Sequence, residues 1–286
     1  MLKNRDIICI STADWDNPYW TNQHHIMSKL ARENRVLFVE SLGLRQPCFQ
    51  KKDIFRMAKR LKDWFKGARR VDKSLFVYSP AIIPFHRFRL IQMFNRKLLL
   101  SSLKRLIKRL KFKDTILWAY APNAADFIGK LRESLVIYHC VDELSANPLI
   151  PKEAVLRMEE RLLGKADFVF VSSRNLYEKC KRLNQKTHYL PNSADFDHFH
   201  QAVSRDYSIP QDLANLRRPI IGFYGALSNY KIDFDLIAYL AQAKKDWSFV
   251  LIGQVGEGDP LTDTSGLNQA NIHLLGSKAY QILPQY

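Results

Sequence analysis

Short apolar runs alternate with amphipathic segments along most of the chain. Runs such as RDIICIS, RVLFVES, DTILWAYA and SLVIYHCV are rich in β-branched and aromatic residues, which is typical of buried strands. Between them, segments such as TNQHHIMSKLAREN and KEAVLRMEERLLGKA place apolar side chains at helical spacing. Strands that are apolar on both faces and separated by helices predict a parallel sheet covered on both sides, with its ligands at the carboxyl ends of the strands.

The alternation continues through two series. In the first, further strands are predicted in SLFVYSP, DFVFVSS and THYLP, and further helices in the segment ending near Lys111, in AADFIGKLRE and in RNLYEKCKRLN. After a polar, proline-bearing stretch, the second series has strands in IIGFYGA, WSFVLIGQ and NIHLLG and a helix in DFDLIAYLAQAKK. We therefore predict an α/β chain with one domain at residues 1–200, a linker at 201–217 and a second domain at 218–286.

Composition supports a globular, intracellular chain. With 286 residues and 47% hydrophobic residues, the chain can bury a sizeable core. Its apolar runs are far shorter than the roughly 20 residues of a membrane span, and its first residues lack a signal-peptide cleavage site, so we expect a cytoplasmic protein. The four cysteines lie far apart, without a Cys-x-x-Cys pair, which favours buried, reduced thiols over a disulfide framework or zinc site.

The positive charge is concentrated in one region. Residues 51–113 contain 20 Lys and Arg against three Asp, which accounts for the whole net charge of +16. Two basic amphipathic helices are predicted there, one in IFRMAKRLKDWFKGARR and one with an apolar face of Ile91, Phe94, Leu98, Leu103, Leu106 and Leu110. Such helices fit an anionic membrane surface, although core-packing helices with a solvated basic face would give the same pattern. No recognition motif favours nucleic acid.

Six segments in a fixed order carry a family resemblance: VIYHCVDE, EERLLGKADFVFVSS, HYLPNSADFDHF, PIIGFYGALSNYKIDFDLIAYLA, WSFVLIGQ and NIHLLGSKAYQILPQY. Together they resemble GT-B glycosyltransferases, particularly bacterial enzymes of teichuronic-acid-type and related cell-surface polysaccharide pathways. The resemblance implies two Rossmann-like domains facing a cleft, with the acceptor on the first and a nucleotide-sugar donor on the second. It also implies sugar transfer to a lipid-linked or polysaccharide acceptor by a protein peripheral to the inner face of the cytoplasmic membrane.

The donor-binding residues that the resemblance implies follow two strands. Gly225 and Ala226 lie where small residues would let backbone N–H groups approach a diphosphate. Lys231 could neutralise the diphosphate leaving group, although a solvated loop lysine is an equally good interpretation. Asn192 and Ser193 are predicted to face the cleft, with Ser193 at a position where the family usually has glycine.

The acceptor side offers a candidate base and a polar, aromatic loop. Asp142 ends the strand segment YHCVDE and is the first candidate for general base, with His139 second; an Asp at that position could instead cap the next helix. The loop after the first strand contributes the predicted acceptor contacts, although packing of its aromatic residues on the neighbouring helix is an alternative. These contacts are Asp16, Trp20, Asn22 and His24.

Asp-x-Asp occurs three times, at Asp14–Asp16, Asp195–Asp197 and Asp233–Asp235. Metal-dependent glycosyltransferases of the other major fold hold a divalent cation with such a pair. The positions argue against that interpretation, because Asp233 and Asp235 lie at a predicted helix start, which favours carboxylates in any case. We therefore expect no metal and no cofactor besides the nucleotide-sugar substrate.

The second series is short for a donor domain. It has about 70 residues, where a complete domain would need about 150. We therefore expect the second Rossmann-like domain to be incomplete and the 286-residue chain to be inactive, or nearly so, on its own. The alternative function is that of a non-catalytic protein that binds a membrane or a partner through its basic first domain.

Overall fold

The computed structural model describes residues 2–17, 20–42, 64, 66–83, 89–256, 259 and 261–286. The chain folds into two compact units, Met1–Asn192 (unit 1) and Ser193–Tyr286 (unit 2). The predicted helix in IFRMAKRLKDWFKGARR falls largely outside the described residues. Within them, no helix combines the length and apolar character that crossing a membrane requires.

Unit 1 is built on an eight-stranded sheet in the order β3-β4-β2-β1-β5-β6-β7-β8. All pairs are parallel except β3 with β4. The seven parallel strands were predicted, whereas β3 was missed because it is a short, charged edge strand without apolar alternation. The strands are β1 (Asp6–Ile10), β2 (Arg35–Val39), β3 (Arg69–Asp72), β4 (Leu75–Tyr78), β5 (Thr115–Ala119), β6 (Glu133–Cys140), β7 (Phe168–Val171) and β8 (Thr187–Tyr189).

Helices cover both faces of this sheet. On one face, Leu103, Leu162 and Leu176 belong to a core that includes side chains from three helices; on the other, Met27 packs with Phe38 and Ile116. The described helices of at least two turns are α1 (Asn22–Leu30), α2 (Arg89–Leu110), α3 (Lys152–Leu163) and α4 (Arg174–Lys181). Burying both faces of strands such as DIICI explains why their sequences are continuously apolar.

One predicted helix is absent, and the predicted apolar face of another is buried only in part. The segment AADFIGKLRE does not form an α-helix: a 3-10 helix at Pro122–Asp126 ends before Gly129 and Arg132, whose φ angles of 78° and 57° turn the chain toward β6. In α2, the face against the core is formed by Leu99, Leu103 and Leu106, and Phe94 is 54% exposed rather than buried. The apolar residues of the first turns therefore lie on the protein surface.

Unit 2 contains a three-stranded parallel sheet in the order β11-β10-β9, among the residues that the structure describes. The strands are β9 (Ile220–Tyr224), β10 (Ser248–Ile252) and β11 (Ile272–Gly276), and the helices are α5 (Phe196–Phe199), α6 (Gln201–Ser204), α7 (Gln211–Ala214) and α8 (Phe234–Ala243). The strands and α8 lie where the apolar pattern predicts them. A 3-10 helix at Tyr280–Gln285 follows β11.

The division into units lies at Asn192, eight residues before the predicted end of the first domain at residue 200. Residues 193–217 belong to unit 2 because they pack on its C-terminal segment. The His198 ring stacks on Tyr280 at 4.3 Å between ring centroids, and its Nε2 lies 2.8 Å from the Tyr280 carbonyl oxygen. The Lys278 ammonium lies 2.6 Å from the Asp212 carboxylate. The predicted linker at 201–217 is thus a helical, packed segment of the second unit.

Candidate functional site

Three polar side chains meet at the carboxyl edge of the unit 1 sheet. The Tyr120 hydroxyl, directly after β5, donates to Asn22 Oδ1 at 3.1 Å, and Asn22 Nδ2 donates to Asn192 Oδ1 at 2.6 Å. Tyr120 is buried, which raises the pKa of its phenol well above the ordinary value, while Asn192 is exposed after β8. The structure therefore brings together Asn22, predicted for the acceptor, and Asn192, predicted for the donor.

Trp20 is the exposed member of an aromatic group beside α1. Its side chain is 45% exposed, and its ring lies 5.7 Å from the His24 ring at 18° between planes and 5.4 Å from the Trp15 ring. Trp15 is buried against His24 of α1, the neighbouring helix, and against Phe38 of β2. Trp20 thus keeps an open aromatic face that could stack on a sugar ring.

His24 belongs to the start of α1 and not to an open surface. The ring is fully buried, Nδ1 accepts the Thr21 backbone N–H at 3.1 Å, and Nε2 donates to the Asp14 carbonyl oxygen at 3.1 Å. Burial is the main cause that lowers the pKa of His24 from its ordinary value. Because both nitrogens are engaged inside the protein, the prediction of His24 as an acceptor contact is wrong.

Asp16, the remaining predicted acceptor contact, forms an ion pair. Its Oδ1 lies 2.6 Å from an Arg69 guanidinium nitrogen, and both side chains are about half exposed. An exposed pair of this kind adds little stability and can exchange partners with a charged ligand. Asp16 therefore stays a candidate acceptor contact at the periphery of the carboxyl edge of the unit 1 sheet.

Asp142 follows β6 with an exposed carboxylate. Among the described residues, this carboxylate makes no hydrogen bond or ion pair and caps no helix, so the capping alternative is wrong. Its neighbour Glu143 is different, because both of its oxygens lie 2.9 Å from the Lys179 ammonium, which lowers the pKa of Glu143 against the effect of its burial. Asp142 is thus the carboxylate after β6 that has no partner among the described residues.

His139 is fully buried and cannot act as an accessible base. Its ring stacks on Tyr120 at 5.0 Å and lies 6.0 Å from Trp118 and from Phe170, and neither ring nitrogen has a partner among the described residues. Burial lowers the pKa of His139 to about 4. The prediction of His139 as second candidate base is therefore wrong; the ring instead supports Tyr120, which the apolar run DTILWAYA concealed.

In unit 2, two glycines join the carboxyl ends of β9 and β10. The Gly225 N–H donates to the Ile252 carbonyl oxygen at 2.9 Å. A Cβ atom on Gly253 would lie 1.7 Å from the Gly225 carbonyl oxygen, so glycine is required there. Because its N–H is engaged, Gly225 cannot donate to a diphosphate as predicted. It fixes the backbone of the turn instead.

The turn after β9 leaves other groups available. The Ala226 N–H has no backbone acceptor among the described residues, and Lys231 is exposed, with its ammonium 5.6 Å from the centroid of the Tyr230 ring. Helix α8 starts only at Phe234, and its N-terminus is capped by Asp233, whose Oδ1 accepts the Leu236 N–H at 2.9 Å. The predicted helix N-terminus is therefore not directly behind Gly225.

Ser193 and the aspartate pairs have ordinary local roles. Ser193 is exposed and does not have a positive φ, so replacing the family's glycine costs no backbone strain. Asp233 caps α8 and Asp195 precedes α5, as their positions at helix starts imply. No group of three or more His, Cys, Asp or Glu side chains in the described part of the chain could hold a metal ion.

Comparison with solved structures identifies the architecture. HepE from Anabaena, crystallised with UDP and glucose, has a TM-score of 0.58 at 15% identity, over 99% of this chain and 71% of that chain. The UDP-forming α,α-trehalose-phosphate synthase of Burkholderia vietnamiensis also has a TM-score of 0.58, at 8% identity, over 98% and 75%. The chain has the GT-B glycosyltransferase fold. The predicted fold class is thereby confirmed, and the incompleteness of its second domain stays a prediction.

A sequence relative shares the GT-B resemblance. The teichuronic acid biosynthesis glycosyltransferase TuaH of Bacillus subtilis (strain 168), whose own function is assigned provisionally, is 26% identical over 165 residues. The match covers 53% of this GT-B chain and 40% of that protein, so it spans less than half of the relative. No protein-family model matches the chain. The resemblance to glycosyltransferases predicted from the six motifs is confirmed.

Proposed function

We propose a glycosyltransferase function, the transfer of a sugar from a uridine-diphosphate donor to a lipid-linked or polysaccharide acceptor of the cell surface, with little or no turnover by the 286-residue chain on its own. The observation that carries the proposal is the carboxyl edge of the unit 1 sheet, where the open Trp20 ring and Asn22 follow β1, Asp142 follows β6 and Asn192 follows β8. Parallel sheets of this architecture bind their ligands at that edge. The UDP-bound GT-B proteins to which the chain is similar support the choice of donor.

Each group then has a role that its surroundings allow. Asp142, which is exposed and has no partner among the described residues, accepts the proton of the attacking acceptor hydroxyl as general base. Trp20 stacks on the acceptor, with Asp16 at the rim. The acceptor oxygen bonds to the anomeric carbon of the donor sugar as the bond from that carbon to the diphosphate oxygen breaks. In unit 2, the Ala226 N–H donates to the departing nucleoside diphosphate and the Lys231 ammonium offsets its charge. No step requires a metal ion.

An exposed apolar helix end supports the lipid-linked class of acceptor. The first turns of α2 expose Leu90, Met93 and Phe94, with Leu90 79% exposed. Lys97, Lys104 and Lys108 continue the same helix face and are exposed. We call the three apolar residues the tip of α2 and the three lysines its cationic stem. An apolar tip followed by a cationic stem fits an anionic bilayer, where each nearby lysine contributes about 1 kcal/mol. The protein would then act as a peripheral protein on the inner face of the cytoplasmic membrane.

Calorimetric titration of the full chain with UDP-glucose tests the donor half of the proposal. We expect saturable binding, weakened about tenfold in Lys231→Met because a charge-assisted contact to the diphosphate is lost. Lys245→Met is the matched control, since Lys245 is an equally exposed lysine of unit 2. Absence of UDP-glucose binding by the wild type, or equal weakening in both variants, would contradict the proposed site.

A non-catalytic, membrane-binding role is the second candidate, favoured by the exposed tip of α2, which lies apart from the donor residues in sequence. Vesicle binding and nucleotide binding, measured together, distinguish the two functions. Vesicle binding that is sensitive to salt, in a chain that binds neither UDP nor UDP-glucose, would favour the second function. Nucleotide binding would favour transfer.

A further inference from the structure

We propose that Tyr120 is a positioning residue that, through Asn22, holds Asn192 with its amide NH2 group facing the ligand. The inference rests on the proposed function only in taking the ligand to be a sugar or sugar nucleotide. It concerns which group of the Asn192 amide faces the ligand, the carbonyl oxygen or the NH2 group. That choice determines whether Asn192 binds a hydrogen-bond donor or an acceptor. Tyr120 itself contacts no ligand.

Tyr120 is the fixed end of the arrangement. Its backbone N–H donates to the Ile10 carbonyl oxygen at the end of β1 at 2.9 Å. Its ring is buried and stacks on His139 at 5.0 Å. Burial keeps the phenol protonated at physiological pH. A rigid, neutral phenol therefore keeps the proton that Tyr120 donates to Asn22 Oδ1.

The primary amide of Asn22 transmits the direction of this hydrogen bond from Tyr120 to Asn192. An amide oxygen only accepts and an amide NH2 group only donates, so the end of Asn22 that each neighbour contacts determines which group that neighbour must present. Because Asn22 Oδ1 accepts the Tyr120 hydroxyl at 3.1 Å, Asn22 Nδ2 faces Asn192, at 2.6 Å from Asn192 Oδ1. The oxygen of Asn192 is thereby engaged, and its NH2 group is the end left for a ligand.

The outer end of Asn192 is open. Asn192 is exposed directly after β8, and among the described residues its Nδ2 has no hydrogen-bond acceptor. Two N–H groups at that position select oxygen acceptors, such as a phosphate oxygen or the oxygen of a pyranose hydroxyl, and disfavour ligand donors. If the Asn22 amide were rotated by half a turn, Asn22 Oδ1 would face Asn192. Asn192 would then donate to it and present its own oxygen to the ligand, which would repel a phosphate. The Tyr120 hydroxyl sets this choice.

Side-chain NH2 exchange measured by NMR on 15N-asparagine-labelled protein tests the orientation without any ligand. The signals are assigned by loss in Asn22→Asp and Asn192→Asp. We expect the Asn22 NH2 group to exchange about fivefold more slowly than that of Asn192, since only the former donates within the protein. In Asn22→Asp, the new carboxylate can only accept from Asn192, so the Asn192 signal should become the slowly exchanging one. A protected Asn192 NH2 group in the wild type would overturn the proposal.

Tyr120→Phe keeps the ring that stacks on His139 and removes only the hydroxyl. We expect the difference in exchange between Asn22 and Asn192 to shrink in this variant, because Asn22 is free to turn. Tyr138→Phe is the matched control, since it removes a buried phenol hydroxyl that donates to Glu159 at 2.7 Å and not to an asparagine. Equal exchange behaviour of the wild type and Tyr120→Phe would exclude Tyr120 as the positioning residue.

Titration with UDP-glucose then connects orientation to binding. If the proposed donor is right, Asn22→Asp should weaken UDP-glucose binding about tenfold. Tyr120→Phe should have a smaller effect on this affinity, and the control Tyr138→Phe the smallest. Unchanged affinity in Asn192→Ala would overturn the ligand-facing role of Asn192. A wild type that does not bind UDP-glucose would contradict the proposed donor, while the exchange measurement would still decide the orientation of Asn192.

Discussion

The ammonium group of Lys179 lies 2.6 Å from the buried carboxylate of Glu159. The second oxygen of Glu159 accepts the Tyr138 hydroxyl at 2.7 Å, and Lys179 also contacts both oxygens of Glu143. The pair joins α3 to α4, and its two partners tie both helices to β6 and the segment just after it, which carries Asp142. Hydrogen bonds to the two glutamates raise the pKa of Lys179 despite its partial burial.

Lys179→Met should destabilise unit 1 by about 3–5 kcal/mol, because it leaves the Glu159 charge buried without a partner. The free energy of unfolding from urea titration measures this cost. Lys179→Met combined with Glu159→Gln should recover most of it, since the uncompensated charge is gone. Lys152→Met, at an exposed position, is the control. A loss for Lys179→Met no larger than that of the control would show that Glu159 is not charged in the folded protein.

His139→Phe should remove a pH-dependent loss of stability. In the folded protein the pKa of His139 is about 4 because the ring is buried, whereas the unfolded value is about 6.5. The unfolded chain therefore binds more protons between these values, so the stability contributed by neutral His139 is complete above about pH 6.5 and decreases as the pH falls toward 4. The decrease amounts to about 3 kcal/mol.

Urea titrations from pH 4 to pH 8 distinguish His139→Phe from the wild type. The wild type should lose stability relative to the variant over the acidic half of that range, and the two should run parallel from pH 7 to 8. His188→Phe, which removes an exposed imidazole near Phe170, should keep the wild-type profile. Parallel profiles of the wild type and His139→Phe throughout would mean that His139 accepts a proton in the folded state.

Gly253→Ala should disrupt unit 2 locally. The added Cβ would lie 1.7 Å from the Gly225 carbonyl oxygen, and the φ of 152° at Gly253 disfavours any side chain. The backbone cannot relieve this overlap without separating β9 from β10, so we expect a loss of at least about 3 kcal/mol. Hydrogen exchange of residues 219–256 should accelerate, with unit 1 unchanged. Gly222→Ala is the control, because nothing lies within 4 Å of its added Cβ.

The sequence predicts those elements for which burial decides the pattern. After their first residues, DIICI and SFVLI are apolar because helices and loops cover both faces, so their assignment needs no tertiary knowledge. RRVD forms β3 only because β4 is there to pair with it, and its charges give no strand signal. The segment after Ala124 has a helical composition, but the left-handed Gly129 and Arg132 override it.

The residues of the candidate site could likewise be predicted only in part from the sequence. The position of Asp142 after a strand could be predicted because it needs only the strand to be recognised, and its role as base stays a proposal. His139 and His24 could not be sorted by sequence, since their burial depends on Tyr120 and Trp20, which come from other elements. Tyr120 was missed because its ring continues an apolar strand, and only the structure shows its hydroxyl reaching Asn22. Side-chain hydrogen bonds between residues about 100 positions apart leave no local pattern.

Leu90→Gln combined with Phe94→Gln should weaken binding of the protein to anionic vesicles at least tenfold. Both side chains are more than half exposed, and burying one such side chain in a bilayer contributes about 1.5–3 kcal/mol. Co-sedimentation with phosphatidylcholine vesicles, with and without phosphatidylglycerol, measures the effect. Val203→Gln, which replaces an apolar residue that is 83% exposed in unit 2, should bind as the wild type does.

The cationic stem of α2 should act differently from its tip. Lys97→Gln combined with Lys104→Gln should weaken binding only to the anionic vesicles, by about tenfold at low salt, and the difference should shrink as salt is added. The apolar variant should instead lose binding at every salt concentration, because hydrophobic burial is not screened. Wild-type binding that is equal for neutral and anionic vesicles would contradict an electrostatic contribution from α2. Binding unaffected by either pair of substitutions would place any membrane contact elsewhere in the protein.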